Sequence, residues 1–118
     1  MRIIGGKAAG LILEVPKGLG IRPTPDKVRQ AIFNSLGEFV QDSAVLELFG
    51  GTGALSLECL SRGARSAVCI EKSSRHARFI RRNLKRMQLK NALFDLKIAD
   101  ALASIRNLGG RQGMFDLI

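Results

Sequence analysis

The residues best equipped for chemistry are three carboxylates and a run of glycines. Glu47 precedes Gly50-Gly51-Thr52-Gly53, which follows an apolar run and opens a helical pattern. Glycines at such a strand–turn–helix junction let backbone come close to a ligand, and the helix start behind them favours electronegative groups. A dinucleotide fingerprint wants a third Gly or Ala three residues after the second glycine, and Ser56 stands there. A carboxylate at the end of the first strand also suits a cationic ligand better than a pyrophosphate. Glu71 stands 20 residues after Gly51, the spacing at which a carboxylate accepts hydrogen bonds from ribose hydroxyls. Its alternative is a surface acid paired with Lys72. Asp100 ends a third apolar run and suits either an adenine amine or the cap of the next helix.

These positions require elements to hold them. Residues 44–49 are expected to be a buried strand and Ala54 to Arg62 a helix closed by Gly63. A second strand is expected at 67–71, and a helix from Ser73 or Ser74 to about Leu89. Phe94 to Ala99 reads as a third strand, 101–108 as a short helix, and 114–118 as the start of a fourth strand. Strand and helix alternating in this way predict an α/β fold with a parallel sheet, whose strand ends share one ligand-binding edge. Upstream, 2–5 and 11–15 read as a β-hairpin arm, and 16–23 as a linker rich in Pro and Gly. Thr24-Pro25-Asp26 starts a helix with Thr24 as its cap, and Val28, Ile32, Leu36 and Phe39 are its expected buried stripe. The expected division is 1–23 as arm and linker and 24–118 as one domain. A parallel strand normally feeds another helix, so the sheet is expected to be the N-terminal half of a larger one.

Composition bounds the rest. The 118 residues are 46% hydrophobic and 25% charged, as in a globular domain. The formal charge of +9 points toward polyanions. Lys72, Arg75, Arg78, Arg81, Arg82, Lys85, Arg86 and Lys90 follow one another without an intervening acid. Such a helix can neutralise phosphates, or it can be a solvated face lying away from the ligand edge. His76, in the same run, reads as a surface residue. Cys59 and Cys69 sit in apolar surroundings without metal-ligand spacing, and read as buried thiols in a reducing compartment. No metal site, signal peptide or membrane-spanning helix is expected.

Several strings carry a family resemblance. Met1-Arg2-Ile3-Ile4-Gly5-Gly6, Gly20-Ile21-Arg22-Pro23-Thr24-Pro25-Asp26-Lys27-Val28-Arg29, Phe33-Asn34, Glu47-Leu48-Phe49-Gly50-Gly51-Thr52-Gly53 and Ser61-Arg62-Gly63-Ala64 resemble the RsmD family. These are S-adenosylmethionine (SAM) dependent guanine-N2 methyltransferases of small-subunit rRNA. The resemblance implies a Rossmann-like class I methyltransferase fold in the cytoplasm, with rRNA or the assembling 30S particle as partner. It implies cofactor contacts at Glu47, Gly51, Gly53, Glu71 and Asp100, and also at Arg22 and Thr24 beside the methionine end. It implies an N-terminal hairpin arm that helps hold RNA, and the charge pattern makes Arg2, Lys7, Arg22, Arg78 and Arg82 the candidate RNA contacts. The family usually has Asp at 47 and Ala at 50, so Gly50 is expected to loosen the loop. The family's catalytic Asp/Asn-Pro-Pro-Tyr/Phe motif is expected beyond Ile118, and Asp116 belongs to the lead-in of that strand. The competing expectations are a fragment that binds SAM or RNA without chemistry, and a nicotinamide oxidoreductase, which Glu47 and Ser56 disfavour.

Overall fold

A computed structural model describes residues 1–18, 23–108 and 114–118. Three strands, β1 (Ala44–Glu47), β2 (Ser66–Glu71) and β3 (Leu93–Ile98), form a parallel sheet in the order β1-β2-β3. Glu47 aligns with Cys69 across the first pair, and Glu71 with Ile98 across the second. Segment 114–118 lies on the free side of β1: Leu46 N–H donates to Leu117 O (2.9 Å), and Asp116 N–H donates to Ala44 O (2.8 Å). Its pairing is a single parallel bridge, Val45 to Leu117. The Asp116 carboxylate accepts from Ala44 N–H at 2.8 Å, at the start of β1 and therefore at the edge opposite Glu47. Asp116 is thus tied to a strand start, as its sequence position predicts.

Each crossover is a helix: α2 (Ala54–Ser61) after β1, α3 (Ser74–Met87) after β2 and α4 (Ala101–Leu108) after β3. Helix α2 is buried on nearly every side, Ser56, Glu58 and Ser61 included. It needs polar partners there because the sheet covers one face and the N-terminal arm another. The arm is a hairpin bridged at Arg2 and Ile12. Its Ile3 and Leu13 are buried with Ala54 and Leu57 of α2 and Met87 of α3. Glu58 anchors it, accepting from Ile4 N–H (2.9 Å) and Gly5 N–H (2.8 Å). Asn83 of α3 exchanges two 2.8 Å hydrogen bonds with the backbone of Glu14.

Helix α1 (Asp26–Leu36) differs from its sequence pattern. Arg29 and Phe33 are its buried residues, whereas Val28, Ile32 and Phe39 are exposed. The face is chosen by charge: Arg29 is fully buried because it donates to Glu58 Oε1 (3.1 Å) and to the carbonyl of Arg2 (2.8 Å). Ile32 and Leu36 instead line an apolar groove beside β1 and 117–118. Thr24 makes no cap, since Pro25 holds the N-cap position of α1 and no side-chain cap bond forms. Helix α3 is capped as predicted, with Ser73 accepting from His76 N–H.

Candidate ligand site on the strand-end rim

The turn between β1 and α2 is tight. Gly50 N–H donates to Ile70 O (2.8 Å) and Gly53 N–H to Gly50 O (2.7 Å). Gly51 and Gly53 both adopt left-handed φ values of 58° and 72°. A side chain at Gly53 would in addition stand 2.9 Å from Ile80, so two constraints require glycine there. Gly50 does not loosen the loop: a Cβ there would lie 2.4 Å from Cys69 Sγ, so its backbone is packed directly against β2.

The two glutamates flank this turn. Glu71 is buried; one carboxylate oxygen accepts from Gly51 N–H (2.8 Å) and the other from Ser73 N–H (2.7 Å). It therefore links the glycine turn to the start of α3 and is not a surface acid. Glu47 Oε1 accepts from the Ser56 amide (3.0 Å), the Ser56 hydroxyl and the Cys69 thiol (3.8 Å). Burial pushes the Glu47 carboxyl up to about 7, against the opposing pull of the Ser56 hydrogen bonds. Asp100 is exposed and accepts from Ala103 N–H at 3.0 Å, capping α4 with one oxygen.

Two small hollows open on the rim. One is walled by Pro23 and Thr24, Glu47 and the glycine turn, the other by Glu71, Ala99 and Asp100. Phe49, 73% exposed with a left-handed φ of 55°, borders both. The fold thus brings Thr24, Glu47 and Gly51 round one hollow and Glu71 and Asp100 round its neighbour. Gly53 sits behind them against Ile80. Arg22 lies outside the described residues. Sequence reasoning does not single out Phe49, Pro23 or His76 as site residues. An aromatic between a strand and a glycine turn is the signal for Phe49. His76 is largely buried, not a surface residue, with Nδ1 3.7 Å from Glu71 Oε2.

The rim suits a ligand with positive charge and hydroxyl donors: acids and backbone carry its polarity, and tight glycine backbone gives close approach. The chain's thiols are no nucleophiles; burial pushes Cys59 up to about 12 and Cys69 higher still. Among the described residues no cluster of potential metal ligands occurs. Of the cations expected to meet RNA, Arg2, Lys7, Arg78 and Arg82 are all exposed. Arg82 is also engaged, 3.7 Å from Glu14 and over the Phe79 ring at 5.3 Å.

A parallel sheet with 114–118 beside β1, a glycine turn and acids on the strand-end rim define a Rossmann-like fold of the class I methyltransferase type. The family described as Conserved hypothetical protein 95 matches residues 1–118. The chain belongs to that family, the one its sequence resembles. Ribosomal RNA small subunit methyltransferase D of Escherichia coli K12 is 42% identical over 92 residues, covering 78% of this chain and 46% of that protein. Among solved structures, a hypothetical protein of Thermus thermophilus superposes with a TM-score of 0.80 at 30% identity, over 94% of this chain and 62% of that one. The Escherichia coli protein yhhF superposes with a TM-score of 0.78 at 35% identity, over 89% of this chain and 55% of that one. The chain spans about half the length of the curated relatives it matches.

Proposed function

We propose that this chain is the SAM-holding half of a methyltransferase acting on the N2 amine of a guanine in small-subunit rRNA, working in the cytoplasm on rRNA or the assembling 30S particle. The observation that carries the reading is the glycine turn held between two glutamates, with Gly51 N–H on Glu71 at 2.8 Å. Bound SAM supplies a methyl group on a positively charged sulfur with a neutral leaving group. Glu47 meets the positive charge of the methionine end, and Thr24 and Arg22 are assigned to that same end; Gly51 and Gly53 let the backbone approach. Glu71 accepts from the ribose hydroxyls, and the oxygen of Asp100 not used as a cap accepts from the adenine amine. Exposed cations at Arg2, Lys7, Arg78 and Arg82, together with Arg22, attract the RNA. Catalysis is then chiefly positioning, with the amine held in line with the methyl group.

A second reading is a chain that binds SAM or RNA without transferring a methyl group. Tritium transfer from labelled SAM to small-subunit rRNA separates the two. Cofactor identity is tested by calorimetry with SAM against NAD. SAM alone is expected to bind, and Glu71→Ala with Asp100→Ala to weaken it by about 10- to 100-fold, as loss of charged hydrogen bonds implies. Equal binding of NAD, or no loss in the double variant, overturns the assignment.

A further inference from the structure

The basic residues of α3 divide into two sets. One set clamps the arm. Arg75 donates to the carbonyl of Lys17 (2.7 Å), Arg86 to the carbonyl of Ile12 (2.8 Å), and Arg82 pairs with Glu14 at 3.7 Å. Together with Asn83 they lay residues 12–17 along the helix from its end toward its start. The second set is Arg78, Arg81 and Lys85. All three are exposed, and none has an acid or hydrogen-bond partner among the described residues. Their spacing of three and then four residues puts them on one stripe beside the docked arm, with neighbouring Cβ atoms about 5–6 Å apart.

We propose that the stripe Arg78–Arg81–Lys85 is a docking track for the phosphate backbone of RNA flanking the target nucleotide. The proposal rests on the reading of an RNA substrate and adds to it where, and by which cations, the flank is held. Position along the helix assigns the role. Helix α3 starts at the rim, where Ser73 N–H meets Glu71. At about 1.5 Å per residue the stripe begins about 6 Å from that start and continues about 10 Å further away. Cations so placed lead away from a base beside the glycine turn. They can neutralise successive phosphates leading from it, which positions RNA without reading sequence. With no acid to compete for them, they are available to an incoming polyanion, whereas Arg75 and Arg86 are held by arm carbonyls and Arg82 divides its charge between the RNA and Glu14.

The test compares the full chain with the variant Arg78→Gln, Arg81→Gln, Lys85→Gln, titrating a small-subunit rRNA transcript over a range of salt. The plot of log affinity against log salt is expected to flatten by about 2, and affinity at low salt to drop at least about tenfold, as loss of three phosphate contacts implies. Thermal midpoint and SAM affinity are expected to stay unchanged. A separate Arg75→Gln, Arg86→Gln variant is expected to lower the thermal midpoint by freeing the arm. Unchanged affinity and slope in the triple variant overturn the proposal. So does a lowered midpoint in that variant, or stripe-dependent binding of polyglutamate by a chain that ignores RNA. Loss of SAM binding by the unaltered chain with RNA binding intact would instead sink the cofactor reading alone.

Discussion

Glu47 is where burial and ligand charge pull against each other. Its carboxyl titrates near 7 in the folded chain because burial disfavours the anion, while the unfolded chain releases that proton near 4.5. Between those values the folded state holds more protons than the unfolded one. Stability therefore falls as pH rises through this window and levels off above about 7. The full cost is about 3 kcal/mol. Glu47→Gln should remove that slope, so urea midpoints of variant and parent should diverge between about pH 5 and 7 in the variant's favour. Ligand binding should run the other way. A cationic ligand prefers the anion, so SAM affinity of the parent should rise with pH through about 7, and that of Glu47→Gln should be flat and weaker. Parallel pH profiles of affinity in the two proteins would contradict a charge contact at Glu47.

At the scale of elements, what holds the arm is buried charge. Glu58 is fully buried and accepts from two arm amides, from Arg29 and from Arg62 Nε at 2.8 Å. Arg29 also pairs with Asp26 at the start of its own helix. Glu58→Ala would leave buried Arg29 with Asp26 as its remaining carboxylate and two arm amides without an acceptor, a loss of about 3 kcal/mol. The checks are a lower urea midpoint and faster amide exchange at Ile4 and Gly5; a loss under about 1 kcal/mol would show the network to be dispensable. This network also marks what sequence does and does not disclose. The strands and the three crossover helices follow from apolar runs and from local signals such as the Ser73 cap, because those forces act between near neighbours. The acids on the rim follow as well, since strand ends in a parallel sheet share an edge. The face of α1 does not. Val28, Ile32 and Phe39 form the apolar stripe, yet Arg29 turns inward to meet a carboxylate 29 positions away. Phe49 and His76 escape a sequence reading for a related reason: their placement depends on a left-handed backbone turn in one case and on packing against Glu71 in the other.

Across the whole molecule, two surfaces of opposite character compete for control of solution behaviour. One is cationic: the whole chain carries a net charge of +9, and the free stripe of α3 is exposed. The other is apolar: Ile32, Phe39 and Ile118 are exposed, and a groove of about 390 Å³ runs between α1 and the free side of β1. Exposed apolar patches of this kind drive association, while like charge on every copy resists it. Salt screens the repulsion over about 10 Å at 0.1 M and leaves apolar burial intact. Self-association of the chain should therefore rise with salt, while RNA affinity falls over the same range because counterion release weakens. Sedimentation velocity at increasing salt should show growth in mean mass, and Ile32→Lys should suppress it by placing a charge in the groove. RNA affinity of Ile32→Lys should match the parent, since the groove and the stripe are separate surfaces. Association that falls with salt, or that persists in Ile32→Lys, would mean that charge and not the groove brings copies together.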